Sequence, residues 1–124
     1  MLHKNELIMI DGAHSPADAL NLCKYLKTIK LPKYGIWSMT KNKEPDIFIK
    51  KFKNVFQRIV TMPIENENGS ESAEKLNKIA INNKIKSETA YNFKDALKKI
   101  SSKEKKLVVV FGSLYAAGSI LNQN

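Results

Sequence analysis

Three side chains able to hold a ligand or move a proton sit in two turns near opposite ends of this chain. Asp11 and His14 lie in Asp11-Gly12-Ala13-His14-Ser15-Pro16, and Ser113 follows Gly112 near the other end. The first turn falls between an apolar run, Leu7 to Ile10, and a helical stretch from Ala17. Gly12 permits a sharp or left-handed bend. Ser15 is a strong N-cap, Pro16 suits the first helical position, and Asp18 complements the helix dipole. In the second turn Gly112 lets the backbone approach another group closely, and Ser113 can cap a helix or donate to a ligand there. Gly112-Ser113 alone reads more simply as capping, and His14 alone as a structural histidine. Together, after the first and last strong strands, they could converge on the crevice where open α/β sheets bind ligands.

Other chemistries lack their parts. The chain has neither a Walker phosphate loop nor GxGxxG. Two histidines and one cysteine give no metal-ligand spacing. Ser113 has no GxSxG elbow. The residues read as half of a site, unable to hydrolyse ATP or form a bond unaided.

The elements that must position these turns follow from periodicity. Strands are predicted at Glu6–Ile10, Tyr34–Met39, Val55–Met62 and Lys106–Phe111, with a weaker one at Ser87–Tyr91. Val108 to Phe111 is a continuous apolar run, as in a strand covered on both faces. Helices are predicted over Ala17–Ile29, Asp46–Lys53, Ser72–Asn82, Phe93–Ile100 and Leu114–Leu121, while Glu65–Ser70 reads as a polar loop able to move. This alternation predicts an α/β fold: a three-layer, Rossmann-like domain whose mainly parallel sheet of five or six strands is flanked by helices. At 124 residues one domain spanning 1–124 is expected.

The formal charge is +9, yet Arg58 is the only arginine, and the lysines scatter over several predicted helices. A base-reading surface enlists arginine forks, so no nucleic-acid partner is expected. No run approaches the roughly 20 apolar residues of a membrane span, and the N-terminus lacks a signal-peptide core. The single cysteine, Cys23, lies at helical spacing among Ala19, Leu22 and Leu26, which predicts packing; a cytoplasmic location is expected.

Ile10 to Pro16, taken with Gly112-Ser113-Leu114-Tyr115-Ala116-Ala117-Gly118, resembles the C-terminal domain of folylpolyglutamate synthase/dihydrofolate synthase, in the Mur ligase superfamily. Ser38 to Lys43 and Val60-Thr61-Met62-Pro63-Ile64 resemble intervening segments of that family, in the same order. The resemblance implies an ATP-dependent ligase. A folate or dihydropteroate carboxylate is phosphorylated, and L-glutamate's amino nitrogen attacks the acyl phosphate. It implies ATP and Mg²⁺, with the metal ligands on an N-terminal ATPase domain that this chain lacks and on which the C-terminal domain closes in cis. Carried over by position, Asp11 would contact ATP through sugar hydroxyls. His14 and Ser113 would lie near glutamate as a donor pair for its carboxylate, and Lys41 or Lys43 could face phosphate. No catalytic residue of this chain is implied, and alone it should be inactive. Two departures stand out: Ser15 replaces the family's asparagine, and no arginine precedes Glu6, where the family has an ATP-binding one.

Three other readings stay open. A Mur-type peptidoglycan ligase would carry tyrosine in place of Gly12. A stand-alone α/β nucleotide- or anion-binding module would have no ligase domain upstream, and an inactive remnant would have a broken one.

Overall fold

The computed structural model describes residues 6–65 and 67–113. Their order is β1 (Glu6–Ile10), α1 (Pro16–Leu26), β2 (Lys33–Trp37), a 3-10 turn (Lys41–Lys43), α2 (Pro45–Lys50), β3 (Arg58–Thr61), α3 (Ala73–Asn82), β4 (Ser87–Thr89), α4 (Phe93–Ile100) and β5 (Lys106–Phe111). The expected helix Leu114–Leu121 lies outside the described residues.

All five strands are parallel, in the order β1-β5-β2-β3-β4. The last strand is therefore wedged between the first two. Its register joins Ile10 to Val110 on one side and Trp37 to Phe111 on the other. Every residue of β5 is buried, as its unbroken apolar run predicts for a strand covered on both faces. Leu107, Val109 and Phe111 pack on one face with residues of α1, α2 and α3. Val108 and Val110 pack on the other with Ala96 and Ile100 of α4. Period-two alternation along one strand thus feeds both cores of a three-layer α/β domain.

An aromatic cluster centres on Phe111. Its ring lies 4.7 Å from Phe52, 5.2 Å from Phe56 and 6.0 Å from Phe48, and it stacks on Trp37 at 6.5 Å. Gly35 makes room for it: a Cβ there would fall 2.8 Å from Phe111 Cε1 and 2.9 Å from Ile59 Cγ2. A glycine inside a strand marks such close approach.

Several boundaries differ from expectation, with α2 ending at Lys50 rather than Lys53 and β4 at Thr89 rather than Tyr91, and three more have a local reason. β3 begins at Arg58 rather than Val55 because the chain keeps turning after α2: Val55 N–H donates to the Phe52 carbonyl, and Asn54 takes φ 66°. β2 ends at Trp37 rather than Met39. Beyond it, the Met39 carbonyl accepts from Glu71 N–H, and Thr40 bridges antiparallel to Ser70. That contact joins Ser70 to the end of β2, and Lys41 N–H donates to the Gly69 carbonyl at 2.9 Å. Helix α1 ends at Leu26 rather than Ile29, where Thr28 and Ile29 N–H groups turn back to Tyr25 and Leu26 carbonyls ahead of Pro32.

Cys23 is buried in α1, where its thiol donates to the Lys51 carbonyl at 3.2 Å. Burial pushes that thiol up to about 11 despite the opposing charge of Lys27. A thiol so held is packing, as its spacing suggests. Among the described residues no helix is long and apolar enough to cross a membrane.

Truncating the ring at the centre of the cluster, Phe111→Ala, should cost about 3–5 kcal/mol of stability. Urea denaturation followed by circular dichroism would measure it.

Candidate functional site

The two singled-out turns lie side by side. β1 and β5 are hydrogen-bonded neighbours running in one direction, so their carboxyl ends release both turns at the same edge of the sheet. The ladder continues one residue past β1, where Asp11 N–H donates to the Val110 carbonyl at 2.8 Å. The acid thus sits on the last rung of the sheet, opposite the residue that leads into Gly112.

The first turn is built by its own side chains. Asp11 Oδ1 accepts from Ala13 N–H at 2.8 Å, an Asx turn that bends the chain out of the strand. Among the described glycines only Gly112 has positive φ, so the left-handed option at Gly12 is not used; the Asx hydrogen bond makes the bend instead. Ser15 Oγ then accepts from Asp18 N–H at 3.2 Å and Pro16 takes the first helical position, so the serine keeps the capping role.

His14 is oriented from behind. Its Nδ1 lies 2.8 Å from the Gly12 carbonyl. A carbonyl oxygen only accepts, so the hydrogen is assigned to Nδ1, and the neutral ring presents Nε2 as an acceptor. Asp18 Oδ2 stands 3.9 Å from the same Nδ1 and 3.5 Å from the His14 backbone nitrogen. Sequence reasoning gave Asp18 only a dipole role; its i, i+4 spacing from His14 was the signal for more.

The second turn depends on the absence of a side chain. Gly112 has φ 103°, and a Cβ there would run into the Ser38 carbonyl oxygen and lie 2.6 Å from Trp37 Cδ1. The close approach expected of this glycine is made to β2. Ser113 is buried, 6% exposed. Beneath this turn sequence reasoning missed two groups: Trp37 Nε1 and Ser38 Oγ are buried without a hydrogen-bond partner among the described residues. Their signal was faint, an indole and a hydroxyl closing an otherwise apolar strand.

Two cavities open nearby. One of about 480 Å³ runs between the Asp11–Ala13 turn and α1, floored by Met9 and Leu22 and flanked by Asp18, Asn21 and Tyr25. His14 and Ser113 do not line it. The other, about 490 Å³, lies between Thr40–Lys43 and the Glu67–Gly69 stretch, so Lys41 and Lys43 share it. Both lysines are exposed. The structure therefore joins Asp11, Gly12, Ser15, Pro16 and His14 in one turn and sets Gly112 and Ser113 beside it, with the two lysines at a separate depression.

Fold and turns together define an α/β domain of the Mur ligase kind, with paired loops at the carboxyl edge of a parallel sheet. The chain belongs to the family described as dihydrofolate synthetase, C-terminal domain, which matches residues 2–123. Its fold is shared by Mycobacterium tuberculosis folylpolyglutamate synthase complexed with ADP and AMPPCP (TM-score 0.82, 22% identity, covering 94% of this chain and 29% of that one). Escherichia coli FolC in complex with DHPP and ADP is similar (TM-score 0.81, 18% identity, 94% and 28%). So is the Yersinia pestis bifunctional folylpolyglutamate synthase/dihydrofolate synthase complexed with AMPPNP and Mn ion (TM-score 0.81, 17% identity, 94% and 28%). The chain thus spans under a third of the length of these enzymes. No curated protein sequence matches it significantly.

Gly112→Ala should cost about 2–4 kcal/mol, combining backbone strain with overpacking against β2. Ser15→Ala should cost about 1 kcal/mol through the lost cap, whereas Ser15→Asn should be close to neutral. Thermal melts of the three variants would test this order.

Proposed function

We propose that this chain is the C-terminal domain of an ATP-dependent folate–glutamate ligase, which completes the nucleotide and L-glutamate sites by closing on an N-terminal ATPase domain. The observation that carries the reading is the adjacency of the acid–histidine turn and the glycine–serine turn on paired strands. That placement lets one ligand assembly touch both. The likeness to folylpolyglutamate synthases crystallised with nucleotides supports it.

Each residue's part follows from its chemistry. The Asp11 carboxylate is half-buried, fixed by the Ala13 N–H, and borders the opening along α1. It suits a ligand carrying hydroxyls, such as the ribose of ATP, because it accepts hydrogen bonds and repels phosphate. His14 and Ser113 stand where the incoming glutamate would lie, with the α1 N-terminus adding positive potential. Lys41 and Lys43 offer cationic charge for phosphate from the neighbouring depression.

Mg²⁺ would supply charge neutralisation on the transferring phosphoryl group. Its ligands are expected on the N-terminal domain, as the family resemblance implies; among the described residues no cluster of three His, Cys, Asp or Glu could hold it. Positioning is one part of this chain's share of catalysis. Dihydropteroate or a reduced folate is the acceptor, and the cytoplasm, where ATP is made and thiols stay reduced, is the setting.

ADP release with dihydropteroate or tetrahydrofolate plus glutamate would test the reading. A longer chain carrying the phosphate loop should turn over and this domain alone should not. An inactive longer chain, or turnover by this domain alone, would sink it. In the active enzyme Asp11→Ala should raise the KM for ATP about 10–100-fold, the worth of a hydrogen bond to a charged group.

A further inference from the structure

Resting on the ligase reading, we infer that His14 is the proton acceptor that frees the amino group of glutamate for attack, with Asp18 as its positioning residue. The constraint on the ring lies at Nδ1. Its hydrogen is committed to the Gly12 carbonyl at 2.8 Å, so the neutral ring can only accept at Nε2. A neutral histidine in that tautomer is a poor partner for a carboxylate, which also only accepts. It is a good partner for an ammonium, which only donates. The side chain is 38% exposed, so the ring is reachable from solvent.

The dyad also fits the charge that the step creates. Glutamate's α-ammonium must lose a proton before its nitrogen lone pair can attack. That proton passes to Nε2, and the resulting imidazolium faces Asp18 Oδ2, 3.9 Å from Nδ1. The Gly12 carbonyl holds the ring's orientation, and the carboxylate nearby stabilises the cation, as an acid near a histidine does in hydrolytic triads. The freed lone pair forms the C–N bond to the acyl phosphate carbon. The C–O bond to phosphate then breaks, and phosphate leaves with its electron pair and takes up the second nitrogen proton. The imidazolium returns its proton to solvent. Asp18 can serve here without weakening the helix start, because it is the Asp18 backbone N–H that Ser15 Oγ caps.

Hydroxylamine separates this role from the alternatives, because it is a neutral nucleophile near pH 7 and traps an acyl phosphate as a hydroxamate without a base. The experiment uses the ligase carrying this domain together with its ATPase domain, dihydropteroate and ATP, with saturating glutamate or hydroxylamine as nucleophile. For His14→Gln the ratio of glutamate turnover to hydroxylamine turnover should fall by about 10²–10⁴-fold, the usual range for general base catalysis. Asp18→Asn should lower the same ratio by less. In His14→Gly, added imidazole should restore glutamate turnover. An unchanged ratio in His14→Gln would overturn the inference, as would a loss confined to the KM for glutamate, which would mark a binding contact. If the unmodified enzyme forms neither product, the ligase reading fails and this inference with it. If it forms both and only the ratio test fails, the ligase reading stands.

Discussion

The insertion of β5 between β1 and β2 is the constraint on which the rest of the domain depends. It closes the sheet with residues about a hundred positions apart in sequence, pairing Glu6 with Lys106. It supplies one strand to both hydrophobic cores, through Leu107, Val109 and Phe111 on one face and Val108 and Val110 on the other. And it brings the turn after the last strand beside the turn after the first. Remove that wedge and the acid–histidine bend faces no counterpart, while β1 loses its only described strand partner. A pairing of such long range is slow to form, because loop closure must precede the contacts that reward it.

Much of this was legible in the residues. The β-branched run Val108-Val109-Val110 could belong only to a strand covered on both faces, and the Ser15-Pro16-Asp18 sequence specified a helix start that the Ser15 cap then realised. What could not be read was local competition for backbone hydrogen bonds. Met39 is apolar and suits a strand, but its carbonyl is taken by Glu71, so β2 stops two residues early. Val55 is β-branched, yet it belongs to the turn that Asn54 opens by adopting positive φ. Strand propensity cannot foresee a partner that arrives from another loop.

The site was legible in part for the same reason. Asp11, Ser15 and Pro16 act within four residues of their partners, so spacing revealed them. The division of labour between the two glycines was not visible. Gly12 looks like the freer position, but Asp11 bends that turn with a side-chain hydrogen bond, while Gly112 is the one pressed against another strand. His14 reads from sequence as one of a pair of donors. The carbonyl that claims its Nδ1 belongs to Gly12, a contact no spacing reveals, and it leaves Nε2 as the acceptor.

Trp37 is the chain's sole tryptophan and is wholly shielded from solvent, stacked on Phe111 with its indole nitrogen under the Gly112 bend. An indole in such surroundings emits at short wavelength, and its fluorescence is sensitive to small movements of the chain above it. The domain therefore carries its own optical gauge at the very rim where two loops meet, with no second indole elsewhere in these residues to blur the signal.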